Sequence, residues 1–373
     1  MKLNPFQQRI LSSLEAIPTG VSEFERANLL ERGRIRAGDA MTGMLRSLRP
    51  GAPMNWDPWI LQDGDVYRLF YLRGIEGHTP WWTVSKICGA VSTDLQEWHD
   101  LGILLEPSTN DWESGRICAG CTYEEDGVYY LFYSAGGKAA PYLKDEAIGL
   151  ATSKDGVSWQ RQSDGYPLHP DARHPWYGSS NWTDHFHWRD PYAFKDPRSG
   201  RYYLFICASA ATPGNFQGCV GLAVADRVAG PYEILAPVVT PTAASADNWP
   251  YYHMERPQVF YKDDRYHLLF SCFTIYLNPT WQRTMNPQRI TNSSLYWYVA
   301  DEITGPYEPI LAGESIVPGS EKTGMYGTNL LPLTSDLSDF VAYGWYHRIH
   351  ALAIAPTLRA TWNEPGLRID MNQ

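Results

Sequence analysis

The chain lacks the features that mark secreted, membrane-spanning and nucleic-acid-binding proteins. Its first residues, MKLNPFQQRILSSLEAIPTG, contain no uninterrupted apolar stretch of the secretory kind, and no apolar run approaches the length of a membrane span. Its net charge of −10 provides no basic stripe for a phosphate backbone. These absences predict a cytoplasmic protein whose partners include neither a membrane nor a nucleic acid.

Cysteine is also scarce, with 6 residues in 373. Cys118 and Cys121 form a CxxC pair, but no second pair with ligand spacing accompanies it, so core thiols are expected in preference to a metal or redox site. His174, His185 and His187 share one loop at irregular spacing. We therefore expect neither a metal nor a cofactor.

Aromatic residues, in contrast, are abundant, with 15 Trp and 24 Tyr. Their rings suit β-strands, which is the expected role of most of them, and they also stack on sugar faces. Many lie in a phrase that recurs along the chain: GDVYRLFYL at 64–72, GVYYLFYS at 127–134, GRYYLFIC at 200–207 and DRYHLLFS at 264–271. A polar turn before such a run is typical of the second strand of a hairpin.

A second phrase follows each copy of the first, as in GAVSTDLQEW at 89–98 and GLATSKDGVSW at 149–159. It has the pattern of a third strand, a tight turn and an outer strand. Four strands per unit, repeated at spacings of 62, 73 and 64 residues, are typical of propeller blades. With strand patterns at 340–346 and 350–360 as a fifth unit, the sequence predicts an all-β, five-bladed β-propeller over residues 51–373. A β-sandwich would not explain the paired recurrence.

Residues 1–50 differ in character, since they are rich in Leu, Glu and Arg with helical periodicity. We expect a short N-terminal helical extension that covers the edge of the propeller. A contact between subunits of a homo-oligomer is the second interpretation of these helices.

Three acids precede three of the repeated strands, in the phrases NWDPWIL, HWRDPYAF and HMERPQVF. Asp57, Asp190 and Glu255 lie 10, 12 and 11 residues before the aligned tyrosines, which predicts equivalent places at the start of the innermost strands of blades one, three and four. Innermost strands line the propeller axis, so the three carboxylates should meet in one funnel. An acid that only closes a surface turn is the alternative for any one of them.

Carboxylates that meet in this way suit the cleavage of glycosidic bonds. One must be protonated to donate to the leaving oxygen, and another must be ionised to attack or stabilise the oxocarbenium-like centre. The expected partner is therefore a small sugar or oligosaccharide.

At these residues the sequence resembles the levansucrase and β-fructofuranosidase family (glycoside hydrolase family 68), within the clan shared with the invertases. The matching segments run in family order along nearly the whole propeller: WDPW at 56–59, WRDP at 188–191, ERPQV at 255–259, GCVGLAVA at 218–225, TGPYEPI at 304–310 and APTLR at 355–359. The resemblance implies a retaining hydrolase of β-fructofuranosides, with fructosyltransferase activity as a further expectation.

The resemblance also implies a role for each matching residue. Asp57 matches the nucleophile, Asp190 the transition-state stabiliser and Glu255 the general acid/base. Trp56 and Arg189 match residues that line the sugar pocket, and Ser114 matches a Trp-Ser-Gly segment of the family. Trp112, His253 and Arg256 are the further candidates for substrate binding. The implied reaction is a double displacement through a covalent fructosyl–Asp57 intermediate.

Three departures from the family pattern fall on the side of the leaving sugar. His253 stands where the family has Glu or Gln, and DWESG carries an extra residue between Trp112 and Ser114. The segment FTIYLNPTWQRTMNPQR at 273–289 lacks the usual acceptor-side pattern of the family. Two other functions are therefore kept as alternatives: an inverting furanosidase or xylosidase of the neighbouring five-bladed clan, and a sugar-binding propeller without catalysis.

We predict that His253 lies beside the leaving-group site. The change His253→Gln restores a family-like side chain, so it should alter the relative kcat/KM for substrates that differ only in the leaving group. Kinetic assays on a panel of such substrates test this prediction. The same substrate preference in both proteins would contradict it.

Overall fold

The computed structural model describes residues 54–74, 84–171, 174–311, 315–348, 351–364 and 366–371. These residues form five antiparallel sheets, and each sheet follows the chain from its innermost to its outermost strand. The predicted five-bladed propeller is confirmed. The predicted N-terminal helices, and the subunit contact suggested for them, lie outside the described residues.

Blades one to three each contain four strands, bounded as follows: β1 Asn55–Asp63, β2 Val66–Gly74, β3 Ser85–Ser92 and β4 His99–Leu105; β5 Arg116–Glu125, β6 Val128–Gly136, β7 Ala147–Ser153 and β8 Gln160–Arg161; β9 Trp188–Lys195, β10 Tyr202–Ser209, β11 Gly218–Ala225 and β12 Glu233–Val239.

Blade four repeats this plan, and blade five adds one strand that pairs with β18 beside the main order: β13 Glu255–Lys262, β14 Arg265–Ser271, β15 Leu295–Ala300 and β16 Glu308–Pro309; β17 Tyr326–Pro332, β18 Asp339–Arg348, β19 Ala351–Ile354, β20 Leu358–Asn363 and β21 Gly366–Ile369. One short helix, α1, spans Pro279–Gln282. Among the described residues no helix is long and apolar enough to cross a membrane.

The repeated phrase forms the second strand of blades one to four, where a turn precedes it. Asp126 and Gly127 join β5 to β6 with φ values of 53° and 73°, and Asp263 and Asp264 join β13 to β14 with φ values of 51° and 60°. Two consecutive residues with positive φ make the hairpin turn that matches strand twist, and Asp and Gly tolerate this conformation.

The innermost strands of neighbouring blades pack side by side in a closed ring, β1 against β5, then β9, β13, β17 and β1 again. A parallel bridge between Met54 and Leu352 joins the first and last blades. Apolar side chains fill the space between blades, and Trp188, Phe205, Phe270 and Phe340 are among those fully buried. This packing fixes the starts of five strands around one axis.

Each innermost strand breaks its register with the second strand at one point near its start. In blades one, three, four and five, the first extra residue has a positive φ: 44° at Asp57, 55° at Asp190, 55° at Arg256 and 60° at Gly327. Such bulges re-aim side chains and are frequent beside active sites. The repeated bulge is therefore the element that presents side chains to the axis.

We predict that Gly120→Ala destabilises the propeller, because a Cβ at Gly120 would lie 1.8 Å from the carbonyl oxygen of Phe132. The expected loss in the free energy of unfolding is roughly 1–3 kcal/mol. Chemical denaturation measures it, with Gly178→Ala as the matched control because a Cβ there meets its nearest atoms at 3.5 Å. Equal stability of the two variants would contradict this packing.

Candidate active site

The three predicted carboxylates meet at the bulged end of the axis. The backbone N–H of Arg256 donates to Asp190 Oδ2 at 3.1 Å, which joins blades four and three. The hydroxyl of Tyr326 donates to Glu255 Oε2. The next residue, Gly327, lies beside Asp57, because a Cβ added to this glycine would be 3.3 Å from Asp57 Oδ1. Acids from blades one, three and four therefore surround one point beside blade five.

The equivalence predicted from residue counts is correct for two of the three acids. Asp57 and Asp190 occupy the same bulge position, whereas Glu255 lies one residue earlier, in the position of Trp56 and Arg189. The longer turn before β10 accounts for the larger count at Asp190. Glu255 therefore approaches the axis from a different angle than the two aspartates.

The electrostatics of the two aspartates favour retention of a proton. Burial, together with the charges of Asp190 and Glu255, raises the pKa of Asp57 to about 7, although the charge of Arg256 and a hydrogen bond with Trp345 oppose the rise. Burial likewise raises the pKa of Asp190 to about 6 against the opposing charges of Arg189 and Arg256. The pair therefore titrates near neutral pH, far above free aspartate.

Glu255 behaves in the opposite way. Burial alone would raise its pKa, but the charge of Arg189 and the hydrogen bonds from Arg189 and Tyr326 outweigh burial and lower it. Arg189 Nη2 donates to Glu255 Oε1 at 2.7 Å. Three carboxyl groups at one point thus have pKa values pushed apart, which is the arrangement that acid–base chemistry requires.

Arg189 is held between two carboxylates. Its Nη1 donates at 3.0 Å to Glu146, a buried residue just before β7, while its Nη2 contacts Glu255. Arg116 lies 3.5 Å from the other oxygen of Glu146. Burial opposes ionisation of Glu146, but Arg189, His187 and Arg116 hold its pKa well below its usual value.

Arg256 was predicted to bind sugar, but the structure gives its guanidinium another place. It donates to the carbonyl oxygens of Gly120 and Pro58 at 3.3 and 2.8 Å and to Asn329 Oδ1 at 3.0 Å. These groups belong to blades two, one and five. Arg256 therefore ties the innermost strands together and supplies charge to the site from within the axis.

A cavity of about 330 Å³ follows the innermost strands beyond their bulges, and Asp190 and Arg256 are part of its lining. Asp57 and Glu255 do not line it. We assign the cavity to the propeller channel on the far side of Arg256. The candidate site is the point where the three carboxylates meet, because a catalytic site needs several reactive polar groups close together.

The remaining predicted pocket residues occupy mixed positions. Trp56 is buried with its ring against Gly74. Trp112 stacks on Tyr133 at 6.0 Å, and the hydroxyl of Ser114 donates to the carbonyl of Asp111 at 3.1 Å. Each of these contacts lies within the residue's own blade.

His253 lies beside Glu255, the acid/base candidate. Its Nε2 is 3.4 Å from Glu255 Oε2, and its Nδ1 is 3.2 Å from Arg189 Nη2. Burial lowers the pKa of His253 to about 3, so its ring is neutral at neutral pH.

Cys121 is buried as expected, whereas Cys118 is partly exposed. The described residues contain no cluster of His, Cys, Asp and Glu suited to a metal ion.

Three functional residues were missed by sequence reasoning. Tyr326 occupies the same pre-bulge position as Glu255, so an alignment of the fifth innermost strand with the others would have found it. Trp345 lies opposite Tyr326 on β18. Glu146 reaches Arg189 from a loop, 43 residues away in sequence, and the repeat carries no signal for it.

Comparisons with known proteins agree with this geometry. The family model "Glycosyl hydrolases family 32 N-terminal domain" matches residues 55–217. A levansucrase of Erwinia amylovora is 30% identical over 148 residues, which is 38% of this chain and 32% of that protein. The resemblance to the levansucrase and β-fructofuranosidase family is confirmed. The match spans about a third of the length of that relative.

Solved structures of the same group share the fold. An inulosucrase from Halalkalicoccus jeotgali bound to kestose has a TM-score of 0.66 and 22% identity, with 85% of this chain and 87% of that chain covered. Levansucrase from Bacillus subtilis has a TM-score of 0.63 and 15% identity, with 86% and 87% covered. At these identities the likeness establishes the five-bladed fold.

We predict that Asp57→Asn stabilises the protein at pH 7.5. The folded state raises the pKa of Asp57 from 3.8 to about 7, so folded protein binds more protons than unfolded protein in this window and stability falls as pH rises through it. Removal of the carboxyl should recover on the order of 2 kcal/mol at pH 7.5 and progressively less toward pH 4.

Chemical denaturation at both pH values measures this effect, with Asp126→Asn in an exposed turn as the control. The prediction fails if the Asp57 variant is no more stable than the control at pH 7.5.

Proposed function

We propose that the protein is a retaining β-fructofuranosidase with fructosyltransferase activity, acting on sucrose-like substrates. The observation that carries the proposal is the convergence of Asp57, Asp190 and Glu255, whose pKa values are shifted in opposite directions. The similarity to levansucrases and an inulosucrase supports a fructosyl substrate. No specific observation favours the inverting or the non-catalytic alternative.

In the proposed first step, Glu255 gives its proton to the glycosidic oxygen while the bond from that oxygen to the anomeric carbon breaks. Asp57 forms a bond to the same carbon, which yields a fructosyl ester and a neutral alcohol. Water or a sugar hydroxyl then attacks the ester, Glu255 takes its proton, and Asp57 is released. Asp190 accepts hydroxyl hydrogen bonds and stabilises positive charge on the ring.

The resting site holds its proton near the aspartates, whereas the first step needs it on Glu255. Sugar hydroxyls that donate to Asp190 stabilise its ionised form, and positive charge developing at the anomeric carbon stabilises ionised Asp57. Both effects leave Glu255 as the group that keeps the proton. Since this proton is lost from the cluster above about pH 7, activity should fall on the alkaline side.

The first test is incubation of the pure protein with sucrose, raffinose and small fructans. We expect release of fructose and transfer products, and a loss of turnover by at least about 10³-fold in Glu255→Gln, because the leaving oxygen then has no proton donor. Glu125→Gln, which removes a carboxylate paired with Lys195 on the surface, is the matched control and should keep activity.

Mass spectrometry of quenched reactions should detect a fructosyl adduct that is absent in Asp57→Asn. Turnover of the Glu255 variant at the rate of the control would overturn the assigned roles. Absence of fructose release from every substrate by folded protein would overturn the proposed function.

A further inference from the structure

A cluster of aromatic and imidazole rings begins at His253, whose Nε2 lies 3.4 Å from Glu255 Oε2. The ring centroid of His253 is 4.6 Å from that of Tyr276. Tyr276 stacks on Tyr252 at 5.3 Å, and Trp182 meets both tyrosines edge-on at 4.8 and 5.9 Å. With His187, whose Nε2 is 3.1 Å from the hydroxyl of Tyr252, these five residues form what we call the ring wall.

The ring wall carries no charge at neutral pH. Burial lowers the pKa of His253 to about 3 and that of His187 to about 4, so both imidazoles are neutral. Arg189 is the cation beside them, and its two terminal nitrogens contact the carboxylates of Glu146 and Glu255. A ligand on this side therefore meets rings and a compensated guanidinium.

The wall also presents two half-buried faces and one polar atom. Tyr252, His187 and His253 are buried, whereas Trp182 and Tyr276 are only partly buried. His253 Nε2 has no hydrogen-bond partner among the described residues, although it is buried and 3.4 Å from Glu255. A buried polar atom without a partner is costly, so a ligand that meets it gains a hydrogen bond.

The 3₁₀ turn Thr274–Tyr276 holds the outer part of the wall in place. Asn292 Oδ1 accepts from the backbone N–H and the hydroxyl of Thr274 at 2.9 and 3.2 Å. The backbone N–H of Tyr252 donates to the carbonyl of Tyr276 at 2.9 Å. These hydrogen bonds hold Tyr276 in position against Tyr252.

We propose that the ring wall is the leaving-group subsite, and that it takes an alcohol with a flat apolar face, of the aryl-alkyl class, in preference to a small aliphatic alcohol. This inference rests on the proposed function, because a proton from Glu255 must reach the leaving oxygen and so the leaving group must lie beside that carboxyl. The departing alcohol stacks on Trp182 and Tyr276, and His253 contacts its oxygen.

The test compares benzyl and methyl β-D-fructofuranosides as substrates. Both release primary alcohols of similar acidity, so the ratio of their kcat/KM values reports contacts with the leaving group alone. We expect a ratio of about ten in favour of benzyl, the size of one or two good ring contacts. Trp182→Ala and Tyr276→Ala should each reduce the ratio several-fold, while Tyr276→Phe, which keeps the ring, should preserve it.

Trp176→Ala is the matched control, because Trp176 is an exposed tryptophan of the same loop and is 41% accessible. It should leave both kcat/KM values unchanged. Circular dichroism establishes that each variant is folded, and Tyr276→Leu provides a second truncation if Tyr276→Ala is not.

The outcomes separate the two proposals. Hydrolysis of neither fructofuranoside, nor of sucrose, by folded wild-type protein overturns the proposed function. Hydrolysis of both with equal kcat/KM, or a benzyl preference that survives both alanine variants, overturns the ring-wall subsite and leaves the proposed function intact.

Discussion

The arrangement of the site depends on one buried guanidinium. Arg256 lies on the propeller axis and donates to Pro58, Gly120 and Asn329 of three different blades, while its own backbone N–H holds Asp190 of a fourth. A buried cation is tolerated only when hydrogen bonds replace its lost hydration. The innermost strands provide these acceptors: the backbone carbonyls of Pro58 and Gly120 and the side-chain oxygen of Asn329. The same charge offsets the repulsion between the aspartates. Arg256 therefore couples blade packing to the protonation of the site.

The bulge that contains Arg256 in blade four contains Asp57 and Asp190 in blades one and three. It therefore separates what the fold requires from what the candidate site requires. A non-glycine residue at positive φ costs roughly 1–3 kcal/mol, yet three of the four equivalent bulges contain one. The fifth blade has Gly327 there, so the propeller can be built without strain at this position. The strained residues at the other three are the two aspartates and Arg256. The chain thus retains strain where side chains must face the axis.

The sequence predicted the blades because hairpins are local: turn residues and strand patterns lie within each repeat. It also identified the three acids. The sequence could not predict which way each side chain on an innermost strand points. Glu255 and Arg256 are neighbours in sequence, but the carboxylate of Glu255 belongs to the candidate site whereas the guanidinium of Arg256 binds the innermost strands. Only the register of β13 against β14 separates the two positions. Glu146 could not be predicted for another reason. It lies in a loop that is not part of the repeated pattern, so the sequence gives no sign that it contacts Arg189.

The charges of the candidate site explain why its cluster of carboxyl groups holds a proton near neutral pH. Among the described residues, the carboxylates of Asp57, Asp190, Glu146 and Glu255 face the guanidiniums of Arg116, Arg189 and Arg256, and the buried imidazoles add no charge at neutral pH. One carboxylate is left without a compensating cation, and burial makes its protonation favourable. In the proposed mechanism that proton moves to Glu255, and Arg189 then loses one of its two partners. Glu146 keeps the guanidinium compensated at that moment, so the transfer does not leave a buried cation alone.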